Sequence, residues 1–530
     1  MRGVIGFRRA LAHGIVAVSA IAAWSNAASA ETVLRIKMIG DLQQIDPIWT
    51  SSYAVRDTAY LVYDTLFSTD ANYQIKPQMV DTYSVSEDGR TYSFTLRDGL
   101  KWHDGPPVTS TDCIASLERW MAKDSLGSVL KSHLDRFERV DDKTFRLILK
   151  KPWNLTLSAL GKISSFVPFM MPERLAKTAP DKANTEVIGS GPYMMKRDEW
   201  VPGSKMVFVK FKDYKPRAEP PSMMAGGKIA GVDRIERIQI PDDLSGVNAM
   251  IAGEIDYIER VPPDLLQLIE KNPNIAVGTR GSLGNGTQIV LNHLQPPFDN
   301  VRVRQAVQLA INQQEVLAGH FGDRKELYMV CPTLLYCGGP YGNNINTDRI
   351  ANNSSAKAKA LLKEAGYDGT PIVVIHPTEN KWQNDVLTVV VEQLRRAGFT
   401  VDDRPTDTAT MWTWRQNKGR TNAGGWHIFN AGWGGIDMMN PATNVFMTGA
   451  CEKAYFGWHC DQEMQQLHAA FLVSDSEDER KEIAKKLQAR AADIVPFVNG
   501  GQNQHMAAWR KNVSGLIDAP IPVLWNITKK

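Results

Sequence analysis

Hydrophobic and polar positions change their period several times along the chain. From residue 33, Val33, Arg35 and Lys37 alternate with Leu34, Ile36 and Met38, the two-residue repeat of a strand with one buried face. Asp46-Pro47 breaks that repeat. Over residues 54–66, Val55, Ala59, Leu61, Val62 and Leu66 fall at helical spacing. Two hairpins follow. Ser86-Glu87-Asp88-Gly89-Arg90 is the turn between strands at 83–85 and 92–96, and Asp141-Asp142 the turn between 139–140 and 144–149. Between them, Thr109-Ser110-Thr111-Asp112 starts a helix, with a hydroxyl cap and an acid in the first turn.

From about residue 230, strands and helices alternate. Strands are predicted at 235–240, 255–258, 288–291, 372–375, 399–401 and 427–431, and helices at 243–251, 263–271, 301–311, 356–365 and 384–397. This alternation implies open sheets covered by helices. There is no internal repeat and no low-complexity segment.

The first thirty residues have the character of an export leader. Arg2, Arg8 and Arg9 precede an apolar stretch, and Ala28-Ser29-Ala30 is a small-x-small cut site, which places the mature start at Glu31. The apolar run of roughly 14 residues is shorter than the about 20 needed to span a bilayer. Arg8-Arg9 leaves a twin-arginine route open. Without the leader's three arginines the chain carries 58 basic against 58 acidic residues. Such a balance gives no reason to expect nucleic acid or a membrane surface as partner. About 500 mature residues exceed one core, so two or more domains are expected.

Five cysteines fit an oxidising compartment. Cys331 with Cys337, and Cys451 with Cys460, flank short loops suited to local disulfides; neither pair has zinc-ligand spacing. Cys113 is left over among apolar positions of a helix, as a buried and inert thiol.

The run from Tyr92 to Gly105, YSFTLRDGLKWHDG, with Pro107-Val-Thr-Ser-Thr-Asp112, resembles the signature of the peptide/nickel class of ABC-transporter substrate-binding proteins. Four more blocks follow in that family's order: Gly189-Ser-Gly-Pro-Tyr193, Gly253-Glu-Ile-Asp256, Pro297-Phe-Asp-Asn-Val-Arg302 and the run from Ala358 to Tyr367. As residues these blocks read as turns, tight backbone paths and helix caps, with Arg302 and Arg304 on a cap and a solvated helix side. The resemblance implies an α/β, two-lobe periplasmic binding protein fold, class II-like, of the large cluster with an extra subdomain. Lobe 1 would comprise residues 31–285 plus 498–530, with the subdomain at about 66–188, and lobe 2 residues 286–497. The chain would cross between lobes near 281–292 and 496–501.

The resemblance also implies where ligand sits. Peptide-binding members hold the free amine with an Asp shortly after a Gly-Trp that follows a lobe 2 strand, and Ala431-Gly-Trp433-Gly-Gly-Ile-Asp437 is similar, with one extra residue. A carboxylate desolvated in a closing cleft strongly favours a cationic partner. The competing reading makes Asp437 a turn cap before Asn440-Pro441. Dipeptide binders place an Arg after another lobe 2 strand, where this chain has His376-Pro377. Neutral His offers one donor in place of a cationic fork, which counts against zwitterionic dipeptides. Lys381 is an alternative cation, and an ordinary loop role an alternative for His376. Trp433 and Trp382 lie beside the matched segments, among other aromatics at Trp412, Trp414 and Trp426. Tyr53 belongs to the loop that enters the cleft from lobe 1, and Met438 and Met439 supply adaptable walls.

These features imply a periplasmic, monomeric solute-binding component of an ABC importer. Its cargo would be a di- or oligopeptide or an amine-bearing compound, delivered to a permease, with no cofactor or resident metal. A nickel chelate, an opine or an oligosaccharide on the same scaffold is the alternative. A secreted hydrolase finds no support: G-x-S-x-G and H-E-x-x-H are absent, and Gly226-Gly227-Lys228-Ile229 lacks the elements of a phosphate loop.

Overall fold

The computed structural model describes residue 3 and residues 31–530 other than 41, 43 and 282; the expected leader, Gly3 apart, lies outside the described residues. Strand Val33–Lys37 forms where the alternation predicts it, with Leu34 and Ile36 wholly buried. It sits inside a seven-stranded sheet ordered Ile275–Thr279, Met506–Arg510, Tyr257–Val261, Val33–Lys37, Arg234–Ile238, Lys205–Lys210, Tyr193–Met195. Its two neighbours run parallel to it, so the carboxyl ends of three central strands point the same way.

The second sheet has six strands: Tyr328–Met329, Phe497–Asn503, Asn285–Leu291, Ile428–Gly434, Ile372–Pro377, Val401–Thr406. Ile372–Pro377 is buried along its whole length and reads as the continuous apolar run of a covered strand. Helices Val301–Ala310 and Lys381–Arg396 pack apolar stripes into one core with strands of this sheet, and Glu477–Ile494 buries Ile483, Ala484 and Leu487 in a second. Residues 263–271, predicted as an α-helix, wind instead into a 3₁₀ segment, Pro263–Leu268. The rest of the helical expectations from residue 230 onward form within a few residues of their predicted bounds.

The first change of sheet overlaps the crossing expected near 281–292, and the second lies just beyond the one expected near 496–501. The first falls between Thr279 and Asn285, and the second between Asn503 and Met506. The strand Phe497–Asn503, which overlaps the crossing expected near 496–501, pairs with Asn285–Leu291 and Tyr328–Met329. Its two glycines are not a hinge but a bulge, because Gly500 and Gly501 together oppose Thr287.

Between Lys37 and Tyr193 the chain builds a four-stranded antiparallel sheet, Val80–Val85, Thr91–Leu96, Thr144–Leu149, Leu134–Arg139. Both hairpins form as predicted. Helix Ser110–Met121 covers this insertion, and Thr109 and Asp112 cap it reciprocally. Two buried ion pairs, Asp46–Arg119 and Asp64–Lys228, each at 2.7 Å, fasten the insertion and the segment leading into it. Deleting one partner of such a pair leaves an uncompensated buried charge.

The glycine block at 189–191 is structural. A Cβ on Gly189 would stand 2.1 Å from the Val62 carbonyl oxygen, and one on Gly191 2.7 Å from the Val62 carbonyl carbon. Arg302 pairs with Glu364 at the surface, as a solvated helix side predicts. Arg304 departs from that reading: it is buried and donates to the carbonyls of Phe298, Asp299 and Ile494. Cys331–Cys337 and Cys451–Cys460 stand at disulfide distance. Cys113 is buried, and burial pushes its thiol well above the ordinary range. No helix among the described residues is long and apolar enough to cross a membrane.

Candidate ligand-binding site

Ligands of open α/β sheets settle beyond the carboxyl ends of the strands. Here those ends face each other across a cavity of about 660 Å³. Ile39, Gly40 and Arg260 reach it from the ends of Val33–Lys37 and Tyr257–Val261, and Tyr53 from the start of helix Tyr53–Val62. The facing wall comes from the second sheet and its helices: Trp382, Trp412, Arg415, Phe429 and Trp433. Two smaller spaces, of about 300 and 30 Å³, adjoin it and share Ile39, Arg260 and His505 with it.

Three of the five expected site residues therefore meet in one cavity. Trp433 stands edge-on to Tyr53 at 6.3 Å and to Tyr455 at 5.4 Å. Trp382 lies against the backbone of the same strand, where a Cβ on Gly432 would come within 3.0 Å of its ring. Only glycine lets that indole pack so close to the strand.

Asp437 lies in the short helix Gly435–Met438, directly after the Trp433 strand, and is buried. It lines the 30 Å³ space beside the main cavity. One carboxylate oxygen accepts the Tyr53 hydroxyl at 2.5 Å and the other the Ser165 N–H at 3.1 Å. Both donors come from the first half of the chain, so this carboxylate bridges the two halves. Tyr53 also accepts the Gly434 N–H at 3.2 Å. Burial and the adjacent Asp437 hold the Tyr53 phenol well above its ordinary pKa, so it stays a donor. The Arg56 guanidinium caps the other face of the Tyr53 ring at 4.3 Å while pairing with Asp57 at 2.8 Å.

His376 does not join the site. It ends the strand Ile372–Pro377, buried, between Asp403 at 2.9 Å and the Asn384 carbonyl at 3.3 Å, and it lines none of these cavities. Burial pulls its pKa down, and the hydrogen bond to Asp403 more than reverses this, leaving it raised. Lys381 lines the 300 Å³ space and pairs with Asp385 at 3.0 Å. Of the other tryptophans, Trp412 lines the main cavity, whereas Trp426 is buried in the core.

Arg260, Arg415 and His505 line the cavity and were not foreseen. Arg260 follows the matched Gly253-Glu-Ile-Asp256 block at the end of its strand, which is the one signal that points to it. Arg415 stacks on Trp412 at 3.8 Å and Phe456 at 4.2 Å, and gives one N–H to the Tyr455 hydroxyl at 3.2 Å. Burial lowers the pKa of both guanidiniums from the usual arginine value. Burial, with Arg260 and Arg280 nearby, holds His505 well below its ordinary value, so it is the neutral imidazole at pH 7. Among the described residues, no group of three or more His, Cys, Asp or Glu side chains could hold a metal ion.

Two open sheets whose strand ends enclose an aromatic-walled cavity of this size define a protein that captures small solutes by surrounding them. The family model for bacterial extracellular solute-binding proteins, family 5 (middle), matches residues 74–456. The chain belongs to that family. It is 36% identical over 528 residues, 99% of this chain and 98% of the relative, to a probable peptide ABC transporter periplasmic-binding protein of Sinorhizobium fredii. It is 26% identical, over 94% of each chain, to the glutathione-binding protein GsiB of Salmonella typhi. Among solved structures it resembles the binding protein AgaA of A. tumefaciens R10 in complex with agropinic acid, with a TM-score of 0.78 and 23% identity over 94% of this chain and 99% of that one. The oligopeptide-binding protein AppA of Bacillus subtilis in complex with a nonapeptide gives 0.78 and 19%, over the same shares. The two-lobe periplasmic binding protein fold is thereby established.

Proposed function

We propose that the chain is the solute-capturing component of an ABC importer. It is exported by its leader, closes two lobes on a di- or oligopeptide or an amine-bearing solute of that size, and presents the closed form to a membrane permease. The two changes of sheet, at 280–284 and 504–505, serve as the hinge. Ligand shifts an open population toward the closed one, to the extent that it binds the closed form better.

The observation that carries this reading is the 660 Å³ cavity walled from both sheets. The Asp437 carboxylate bridges that cavity's rim through Tyr53 and Ser165. Each oxygen keeps a second lone pair, so a cargo amine can share the same carboxylate. Asp437 then links cargo to closure. The peptide class is favoured because the relative matched along almost the whole chain is described as a probable peptide-transporter component.

The test is thermal melting of residues 31–530 against peptides, amines, opines, sugars and nickel chelates. A ligand at a hundred times its Kd adds about 2.7 kcal/mol. Stabilisation by peptides, confirmed by calorimetry, upholds the reading. Stabilisation by sugars or nickel chelates alone overturns the cargo class.

A further inference from the structure

We infer that the cargo carries net negative charge, with a carboxylate seated on Arg260 and a second acidic or carbonyl oxygen on Arg415. This rests on the reading above that the 660 Å³ cavity is the solute site.

The argument is one of unmatched charge. Among the described residues, no carboxylate side chain lines the main cavity, while two guanidiniums do, one on a strand of the first sheet and one at the end of helix Thr408–Trp414. Arg260 makes no hydrogen bond, ion pair or ring contact among the described residues. The described carboxylates near it are committed elsewhere. Glu259 holds Arg280 at 3.2 Å and the Ile39 N–H at 3.1 Å. Asp243 holds Lys37 at 2.6 Å, and Asp57 holds Arg56 at 2.8 Å. Asp437 takes Tyr53 and Ser165 and acts electrostatically on Arg56, which lies between it and Asp57. Even if Asp437 is set against Arg260, Arg415 remains without an acidic partner among the described residues; Tyr455 and the aromatic rings are the only described contacts of its guanidinium.

A part-buried guanidinium with free N–H groups is costly unless something answers it. Its fork matches a carboxylate through two parallel hydrogen bonds. The Nε atoms of Arg260 and Arg415 and the Asn430 amide nitrogen are buried donors with no partner in the described structure, and all three residues line the cavity. One unpartnered acceptor, Asn503 Oδ1, stands against these three donors. Among the buried side-chain atoms of these cavity residues, unpartnered donors outnumber unpartnered acceptors, which favours an oxygen-rich anion over a cation.

The probes are matched peptides titrated calorimetrically into residues 31–530: Ala-Glu-Ala and Glu-Glu against Ala-Gln-Ala and Ala-Lys-Ala. The acidic peptides are expected to bind at least about tenfold more tightly than the glutamine isostere. Arg260→Gln should weaken the acidic peptides about 10- to 100-fold and barely change the glutamine peptide. Arg260→Lys, which keeps charge without the fork, should fall between. Arg415→Gln is the second variant, with ligand-free melting as the fold control for each. Equal or tighter binding of the neutral or lysine peptide overturns the inference and leaves the peptide reading standing. If no peptide binds, the charge of the ligand that the wider panel yields decides. An anion upholds the inference while the peptide reading falls; a neutral or cationic ligand, or none in the panel, overturns both.

Discussion

Replacing Tyr53 with phenylalanine tests whether Asp437 acts in closure. The change removes one oxygen and leaves the ring. The edge contact to Trp433 and the Arg56 stack on the ring face stay available. What is lost is a charge-assisted hydrogen bond of 2.5 Å to a buried carboxylate, and an acceptor for the Gly434 N–H. Bonds to charged groups contribute about 1.5–3 kcal/mol, and more is forfeited if the carboxylate is left short of donors. Asp437 keeps the Ser165 N–H, which argues for the lower half of that range. If closure is what brings Tyr53 and Asp437 together, the loss falls on closure. Tyr53→Phe should then raise the Kd of the best ligand about 10- to 40-fold, while ligand-free melting moves little. Calorimetry on Tyr53→Phe, Asp437→Asn and the double variant gives the coupling directly. Additive effects would refute the latch. So would an unchanged Kd, or a loss of ligand-free stability as large as the loss of affinity.

Three further predictions follow from the same geometry. Burial holds His103, His459 and His468 down to about 4, whereas the unfolded chain takes those protons near 6.5. The unfolded state therefore binds more protons between those limits, and stability falls as pH falls, at about 1.4 kcal/mol per pH unit for each histidine; Asp57, raised to about 6 by burial, opposes them with one below that value, and His376, raised from 6.5 beside Asp403, acts only above 6.5. Denaturant unfolding at pH 7 and pH 5 checks this, and equal or greater stability at pH 5 would count against it. Gly432→Ala puts a methyl 3.0 Å from the Trp382 ring and should drive the indole toward the ligand, weakening binding by about 1–3 kcal/mol with a smaller change in melting; unchanged affinity would show that Trp382 does not meet ligand. Gly189→Ala, with its Cβ 2.1 Å from a backbone oxygen, should destabilise the fold by about 3 kcal/mol or more, read by thermal melting; a variant melting like the parent would remove the structural reading of that block.

The parts of the fold that were legible in the sequence are those in which burial follows the chain's own period. Leu34 and Ile36 had to share a face, and Thr109 with Asp112 had to start a helix. The Gly500-Gly501 bulge was not legible, because glycines mark both hinges and bulges, and only the strands on either side decide between them. The site divides in the same way. Tyr53, Trp382 and Trp433 were within reach because the resemblance placed their segments at the cleft. His376 was misplaced because its partner, Asp403, comes from the neighbouring parallel strand, a pairing that local sequence does not announce. Arg260 was the hardest to find, since what singles it out is the absence of a partner. That absence becomes visible only once Glu259, Asp243 and Asp57 are seen to be held by other cations. A binding protein's specificity lies largely in such unmatched groups, because a side chain already satisfied by its own fold has little left to offer a ligand. Residues that look idle in the ligand-free molecule are thus the first places to look for the cargo's chemistry.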